Sequence, residues 1–160
     1  MQNRNLERMI QLAEEFFETR SDPEQISVTE ESMERLRRIH PGTLSEERND
    51  DGPIAWMLVI PTTREVMDRF VAGTINEREL LYGTPLGATY EALYMCSALV
   101  LPEFRGQGIA KRLALQAVKS IQAQHPIRCL FYWAFSREGE KLAGSLAKET
   151  GLPLYRRTSQ

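Results

Sequence analysis

The N-terminal part of the chain places apolar residues at helical spacing among polar ones. Apolar residues recur at steps of three and four positions over residues 6–17, which predicts a helix with one buried face. Ser27-Val28-Thr29-Glu30 fits a capping box, apolar residues recur after it up to Ile39, and Pro41-Gly42 ends the pattern. The sequence therefore predicts a second helix.

Residues 42–53 differ from their surroundings, because turn formers and charges are frequent and apolar residues show no period. We expect an exposed loop there, which could be mobile. Residues 54–60 form a continuous apolar run that Pro61 closes. This run is short for a helix and favours a buried strand.

The middle of the chain predicts two short helices before a long strand. Thr62 with Glu65 fits a capping box ahead of an apolar helical pattern, and Asn76 with Glu79 can cap a further short helix. Residues 88–101 then show a strand pattern. We expect a strand, two helices and a second strand in this order.

The C-terminal part continues the alternation of helices and strands. Helical spacing over residues 107–124 ends at His125-Pro126, and residues 127–135 are rich in aliphatic and aromatic side chains that suit an interior strand. Ser136 can cap a last helix that Gly151 ends, and a short segment up to Arg157 follows. This order predicts an α/β or α+β fold with helices packed against a sheet.

Composition is typical of a globular protein. The chain has 160 residues, of which 42% are hydrophobic and 26% charged, so we expect one domain over residues 1–160. No apolar run approaches the roughly 20 residues of a membrane helix, and the N-terminus lacks the basic and apolar parts of a signal peptide. Cys96 and Cys129 show no C-x-x-C spacing, which argues against a disulfide framework or a zinc site. We expect a cytoplasmic protein without a bound metal.

Charge is nearly balanced, with a net value of −2, which argues against nucleic-acid binding. Residues 1–50 hold seven Lys and Arg against twelve Asp and Glu, while residues 51–160 hold thirteen against ten. The second part could attract a small anion. Ordinary surface helices explain so small an asymmetry about equally well.

A glycine-bearing turn between a strand and a helix carries the most chemistry. Val100 to Phe104 ends the predicted strand, Gly106 and Gly108 follow, and the next helix begins at once. Glycine lets the backbone come close to a ligand, and the first N–H groups of a helix have no partners within it. The helix dipole adds positive charge, so the turn suits a phosphate or pyrophosphate. Three basic residues lie nearby: Arg105, Lys111 and Arg112.

Two common phosphate-binding loops fit this turn poorly. A Walker loop requires G-x-x-x-x-G-K-[ST], and no Lys-Ser or Lys-Thr dipeptide follows these glycines. The dinucleotide fingerprint G-x-G-x-x-G needs a third glycine where this chain has Lys111. From spacing alone, a turn that uses glycine only for compactness is about as well supported as an anion site.

Arg105-Gly106-Gln107-Gly108-Ile109-Ala110 resembles the R/Q-x-x-G-x-G/A signature of the GNAT superfamily of N-acetyltransferases. Val100 to Phe104 is similar to the V-x-P-E-aromatic segment that precedes it, and roughly residues 88–152 match the family's order of elements. The resemblance implies a mixed, mostly antiparallel sheet flanked by helices on both faces. Residues 1–50 would form an atypical helical N-terminal part.

The resemblance also implies acetyl-CoA as the co-substrate. In the family, the amides of the signature hold the pyrophosphate, and the preceding strand pairs its backbone with the pantetheine arm. The cofactor-binding residues that this implies are Ala98 and Val100 for the arm, with Arg105, Gly106, Gln107, Gly108, Ile109, Ala110 and Lys111 at the pyrophosphate.

The implied reaction is direct attack of a primary amine, on a small molecule or a peptide, on the acetyl thioester. A base must deprotonate the amine, and an N–H donor near Val100 would stabilise the carbonyl oxygen. Family members often carry the acid for the leaving sulfur as a tyrosine four residues before the last helix's terminal glycine, where this chain has Ala147. We therefore take Tyr132 as a substitute acid, and Tyr94 occupies a position that sometimes supplies the base.

Other residues are weaker catalytic candidates. Tyr155 could approach as the acid, whereas Glu91 is better explained as a solvated carboxylate at a strand entrance. His40 and His125 adjoin Pro residues and are expected as surface histidines at helix ends. Cys96 could face the thioester, although a core position is favoured for a cysteine without a histidine partner.

A second interpretation is a non-catalytic acyl-CoA-binding or protein-interaction module that keeps the turn and has lost turnover. The missing tyrosine at Ala147 and the little sequence after residues 155–157 favour it. In the leading interpretation the partner is an amine-bearing small molecule or peptide, and we expect no nucleic acid and no membrane. The oligomeric state is open, with a homodimer among the possibilities.

Overall fold

A computed structural model of the chain describes residues 4–19, 29–133 and 137–157. The strands in these ranges are β1 (Leu44–Asn49), β2 (Gly52–Thr62), β3 (Ala92–Val100), β4 (Cys129–Trp133) and β5 (Leu154–Arg157). The helices are α1 (Arg4–Thr19), α2 (Glu30–Ile39), α3 (Arg64–Val71), α4 (Glu77–Gly83), α5 (Ile109–Gln122) and α6 (Arg137–Thr150). Every helix that the sequence pattern predicts is present, with boundaries within a few residues.

The strands form one mixed sheet in the order β1-β2-β3-β4-β5. β2 pairs antiparallel with both β1 and β3, whereas β4 pairs parallel with β3 and β5. The antiparallel ladders are the longer ones, because β2 has 11 residues while β4 and β5 have 5 and 4. The predicted mixed α/β architecture is confirmed.

Helices cover both faces of this sheet. α3 and α6 each contact β3, β4 and β5, so they must lie on opposite faces of the same three strands. α5 packs beside α6 and extends the cover to β1 and β2, as expected when successive parallel strands are joined by right-handed crossovers. On the other face, α4 contacts both α2 and α3.

The hydrophobic core has two layers. One lies between the sheet and α3, and the other lies between the opposite face of the sheet and α5. β2 is buried at every residue except the half-buried Trp56, as its continuous apolar run predicts. On the α3 side, the Phe70 ring lies 4.9 Å from the Tyr94 ring, and Tyr94 stacks on Phe131 at 5.1 Å between ring centres. Each such buried aromatic stabilises the fold by about 1.5–3 kcal/mol.

Residues 42–53, expected as an exposed loop, form the edge of the sheet instead. Leu44–Asn49 pairs with β2 in a hairpin that turns at Asp50 and Asp51, and the Trp56 indole donates to Glu46 at 2.7 Å. The loop prediction is wrong because an edge strand needs no apolar face, and charged side chains there also discourage pairing with other chains. The description of residues 1–50 as helical is therefore wrong for β1.

Two helix caps differ from the predicted ones. α2 is capped by Thr29, whose hydroxyl accepts from the Ser32 N–H at 3.0 Å, and Ser27 lies outside the described residues. α3 is capped by Thr63 rather than by Thr62, which is buried and hydrogen-bonded to another threonine. Neighbouring hydroxyl residues satisfy the same capping pattern, so the sequence fixes the helix but not the capping residue.

The remaining boundaries shift by a few residues. The strand predicted over 88–101 begins at Ala92, and the one predicted over 127–135 begins at Cys129, while residues 134–136 with Ser136 lie outside the described ranges. Gly151 ends α6 in the left-handed conformation, with φ +73°. The short final segment forms β5, one strand where the family resemblance leads one to expect two.

Candidate functional site

The turn between β3 and α5 has the conformation that its glycines allow. A 3₁₀ turn at Pro102–Phe104 follows β3, and then Gly106 and Gly108 adopt φ +81° and +75°. Residues with a Cβ rarely adopt this left-handed region, so glycine is strongly favoured at both positions. Gly108 is the N-cap of α5 and supplies no side chain to its first turn.

Six consecutive N–H groups in this turn are free to bind a ligand. No described residue accepts a hydrogen bond from the N–H groups of Gly106 through Lys111, and the first helical bond runs from Arg112 N–H to Gly108 O at 3.0 Å. A Cβ added at Gly106 or Gly108 would meet nothing within 4 Å. The turn therefore offers an open row of donors at a helix N-terminus, where the dipole favours an anion.

The three basic residues near the turn already have partners in the protein. Arg105 Nε donates to Val100 O at 2.9 Å, and Lys111 Nζ lies 3.0 Å from a carboxylate oxygen of Glu149 in α6. Arg112 forms an ion pair with Glu47 in β1. The main-chain N–H groups are thus the principal donors for an anion, and Arg105 is the cation that no described carboxylate neutralises.

Next to the turn, the sheet opens between β3 and β4. Among the described residues, which exclude 134–136, their pairing ends at Met95 and Tyr132, although β3 continues for five more residues to Val100. In the ladder with β2, Leu58 pairs with Ser97 and Val59 with Met95, so Cys96 is the extra residue of a β-bulge. The two strands part at this bulge.

Backbone groups of β3 face this opening. Leu101 N–H donates to Ile54 O in β2, and alternate residues of an antiparallel strand point their backbone groups to opposite sides. The N–H and C=O groups of Ala98 and Val100 therefore point away from β2. The structure thus brings together the residues predicted to hold the arm and the residues predicted to hold the pyrophosphate.

Below the bulge lies a buried carboxyl group that the sequence did not single out. Glu77, at the first position of α4, is 1% exposed, and its Oε2 accepts from the Tyr94 hydroxyl at 2.6 Å. The Cys96 thiol lies 3.6 Å from the same oxygen. In the sequence Glu77 only follows the cap Asn76, and no local signal reveals that α3 and α4 carry it under the sheet.

The two tyrosines predicted as catalytic lie on opposite faces of the sheet. Tyr94 is 1% exposed and faces α3, where its hydroxyl is hydrogen-bonded to Glu77. Tyr132 is half-buried and follows Phe131, which stacks on Tyr94, so its side chain points to the α6 face. The structure does not bring them together, and their catalytic roles stay predictions.

The histidines are less exposed than expected. His40 is 4% exposed, its Nδ1 accepts from Gly42 N–H at 2.8 Å, and its Nε2 lies 2.7 Å from Gln124. The His125 ring lies 4.6 Å from the Tyr90 ring, and burial followed by the nearby His40 lowers the pKa of His125. The expectation of a surface His40 is wrong, because the end of α2 packs against the end of α5.

A surface ion pair joins the N-terminal helix α1 to the 3₁₀ turn that precedes Gly106. Arg8 in α1 donates two hydrogen bonds of 2.6 Å to the carboxylate of Glu103, which lies in the 3₁₀ turn before the signature. The hydrogen bond from Arg8, followed by a backbone hydrogen bond, lowers the pKa of Glu103 to about 2. Both side chains are exposed, so salt will weaken this pair.

Comparison with known proteins places this geometry in a family. The model of the acetyltransferase (GNAT) family matches residues 6–143, which is most of the chain. The chain belongs to the GNAT acetyltransferase family. The expected family is thereby confirmed, and acetyl-CoA is the co-substrate of that family. No curated protein matches the chain.

Solved structures share the fold of this GNAT chain at low sequence identity. Naa20 of Chaetomium thermophilum, in complex with a bisubstrate analogue, is 14% identical with a TM-score of 0.50 over 79% of this chain. The chain spans 60% of the length of that protein.

An aminoglycoside acetyltransferase, meta-AAC0020 from an uncultured soil metagenomic sample, is also similar. Its complex with trehalose is 11% identical with a TM-score of 0.48, over 94% of this chain and 83% of that one. Its complex with sisomicin is 13% identical with a TM-score of 0.49, over 91% of this chain and 83% of that one.

In the described ranges of the present chain, no helix has the length and apolar character needed to cross a bilayer.

Proposed function

We propose that this protein transfers the acetyl group of acetyl-CoA to a primary amine of a small molecule or a peptide. The observation that carries the proposal is the row of free N–H groups from Gly106 to Lys111, directly beside the open edge of β3. A diphosphate on these donors would lie at the mouth of the opening. The pantetheine arm could then pair with Ala98 and Val100 and reach the bulge at Cys96.

In the proposed reaction the amine nitrogen attacks the thioester carbonyl, a C–N bond forms and the C–S bond breaks. A base or a water chain takes one proton from the ammonium group before attack. A β3 backbone N–H that faces the opening beside the bulge at Cys96 can donate to the carbonyl oxygen as negative charge develops there. We assign the proton for the leaving thiolate to Tyr132, which is half-buried on the strand across the opening.

A combined binding and turnover measurement tests this function. Calorimetry should show acetyl-CoA binding, and a thiol-release assay with a panel of primary amines should show amine-dependent turnover. Arg105→Ala removes the cation that lies against Val100 O and should weaken acetyl-CoA binding by about tenfold. Arg38→Ala, at an exposed arginine of α2, is a matched control that should leave binding unchanged. Unaltered binding in Arg105→Ala would count against the assigned site.

A second candidate function is an acyl-CoA-binding module without turnover. The observation that favours it is Ala147, which provides only a carbonyl to the Gly151 N–H at 2.9 Å where the family often has a tyrosine hydroxyl. Acetyl-CoA binding without thiol release for any amine would support the module. Amine-dependent release that Tyr132→Phe lowers would support the enzyme.

A further inference from the structure

Arg157, the last residue of β5, is a buried arginine that contacts two aromatic rings. Its side chain packs on the α3 face of the sheet, and the residue is 8% exposed. Its guanidinium carbon lies 4.5 Å from the centre of the Phe70 ring and 4.4 Å from that of Trp133. The planes of the two rings lie at 87° to each other, so the rings border the guanidinium group on two adjoining sides through cation–π contacts and leave its remaining N–H groups to bind a ligand.

This guanidinium group has no anionic partner among the described residues. Its Nη1 is buried without a hydrogen-bond partner, and no carboxylate of the described ranges forms an ion pair with it. The neighbouring Arg156 instead forms an ion pair with Glu140, with 2.8 Å between Nη2 and Oε1. A buried arginine without an anion is costly, and the two cation–π contacts offset only part of that cost, so an anionic ligand would be stabilised at this group.

The position of Arg157 relates it to the opening between β3 and β4. Arg157 pairs with Trp133, and Trp133 follows Tyr132, the last residue of β4 that pairs with β3. At least two strand spacings therefore separate Arg157 from the bulge at Cys96, a distance of at least about 10 Å, because β3 and β4 part at this level. The Phe70 ring, which touches the guanidinium group, also lies 4.9 Å from the Tyr94 ring next to the bulge.

The guanidinium group lies on the opposite face of the sheet from the turn between β3 and α5, where the diphosphate is proposed to bind. Phe70 belongs to α3, which covers β3, β4 and β5 from the face opposite α6. The turn instead leads into α5, and α5 packs beside α6. A ligand at Arg157 would approach the bulge from the face that the acetyl-CoA diphosphate does not use. This is the side from which an acceptor can meet the thioester.

We infer that Arg157 binds the carboxylate of the acceptor, so that the acceptor is a small molecule that carries a primary amine and a carboxylate several bonds apart. This inference rests on the proposed acetyl transfer. The planar edge of the guanidinium group matches a carboxylate through two parallel hydrogen bonds. The two rings keep water away from the sides of the group that they border, which strengthens that contact.

Matched pairs of acceptors test the inference. The acceptors are ω-amino acids of increasing chain length and their carboxamides, which keep the amine and the shape but lose the charge. In the wild-type protein, kcat/KM should be at least about tenfold higher for the carboxylate at the best length. Equal values for both members of every pair would overturn the inference while leaving acetyl transfer intact.

Variants separate Arg157 from its exposed neighbour. Arg157→Met should bring the carboxylate-to-carboxamide ratio close to one, with the KM for acetyl-CoA unchanged. Arg156→Gln removes the neighbouring charge, which pairs with Glu140, and should keep the wild-type ratio. A folded Arg157→Met protein that keeps the preference would exclude Arg157 as the carboxylate site. If this variant does not fold, the wild-type ratio and the following measurement still decide.

A binding measurement needs no turnover. In a Trp56→Phe background Trp133 is the only tryptophan, and it contacts Arg157. Titration with 4-aminobutyrate in the presence of coenzyme A should change Trp133 emission to saturation, whereas 4-aminobutyramide should not. This result together with no acetylation of any amine would support the carboxylate site and reject the proposed transfer. No difference between the two titrants, or between any longer matched pair, would reject the carboxylate site.

Discussion

Tyr94 donates its hydroxyl proton to Oε2 of Glu77 across 2.6 Å, and each of the two residues is 1% exposed. The hydrogen bond joins β3, one residue before the strands begin to part, to the first turn of α4. It therefore holds the α3–α4 segment under the opening. Because the hydroxyl is enclosed, we regard its first role as structural.

Tyr94→Phe should lower the free energy of unfolding by about 1–3 kcal/mol, because the buried Glu77 oxygen loses this donor. We expect kcat to change by less than about threefold at temperatures where the variant is folded, since the hydroxyl faces Glu77 rather than the opening. Urea denaturation and thiol release measure the two effects. Tyr82→Phe, on an exposed tyrosine of α4, is the control that should change neither.

A fall in kcat of a hundredfold in the folded Tyr94→Phe protein would contradict this structural role. It would show that the hydroxyl leaves Glu77 during the reaction and acts on the substrate, as the family resemblance implies. The kcat of Tyr94→Phe therefore distinguishes the catalytic role that the family resemblance implies from the structural role that the hydrogen bond to Glu77 indicates.

Gly108→Ala should weaken acetyl-CoA binding, whereas Gly87→Ala should not. Both glycines have nearly the same left-handed φ, +75° and +74°, and a Cβ at either would meet no atom within 4 Å. Each variant should therefore lose a similar stability of about 1 kcal/mol from backbone strain. Only at Gly108 would the new methyl group lie among the free N–H groups, where we expect a loss of affinity of about tenfold or more.

Calorimetry with acetyl-CoA and thermal denaturation measure these two effects separately. Equal affinity in both variants would show that the diphosphate binds elsewhere. Unequal loss of stability would show that one of the glycines has a structural role beyond its backbone conformation.

Glu149→Gln should strengthen acetyl-CoA binding by about two- to fivefold at low salt, a range typical of exposed ion pairs. The reason is that Glu149 now holds Lys111 at 3.0 Å, so the lysine must leave this partner to reach a phosphate. The gain should vanish at high salt. Glu140→Gln removes the same charge from α6 but frees Arg156 instead, and it should leave acetyl-CoA affinity unchanged. Weaker binding in Glu149→Gln would mean that the ion pair positions Lys111 for the phosphate.

The stability of the protein should fall on acidification, in part because of His125. Burial and His40 lower the pKa of His125 below its ordinary value of 6.5, so the unfolded chain binds this proton more readily than the folded one. The stabilisation is complete above about pH 6.5 and is lost as the pH falls through the lower pKa of the folded state. His125→Gln should flatten this part of the stability curve, measured by urea denaturation between pH 5 and pH 8. An unchanged slope would assign the pH dependence to other groups.

The conformation of the turn between β3 and α5 was predictable because it is set locally. Gly106 and Gly108 adopt left-handed conformations that glycine favours, and the free N–H groups follow from the start of a helix at Ile109. Both consequences depend on residues that are adjacent in the chain. The open edge at Ala98 and Val100 followed from the same segment only through the family resemblance.

The edge strand β1 and the buried His40 were not predictable in this way. Residues 44–49 carry charges that suit a loop as well as an edge strand, and the choice depends on the unpaired side of β2. His40 is buried because the C-terminal end of α5 lies against it through Gln124, 84 positions further along the chain. Neither contact leaves a mark in the local pattern.

The sequence by itself determined the helices, the strands β2, β3 and β4, and the donor-rich turn, because periodicity, caps and glycines act over a few residues. Only the tertiary structure decided what surrounds the opening. It placed Glu77 beneath Tyr94, set Tyr132 on the opposite face, and buried Arg157 against Phe70 and Trp133 with no carboxylate partner among the described residues. Burial and the presence of a partner are properties of residues that meet from distant parts of the chain, so local spacing could not reveal them.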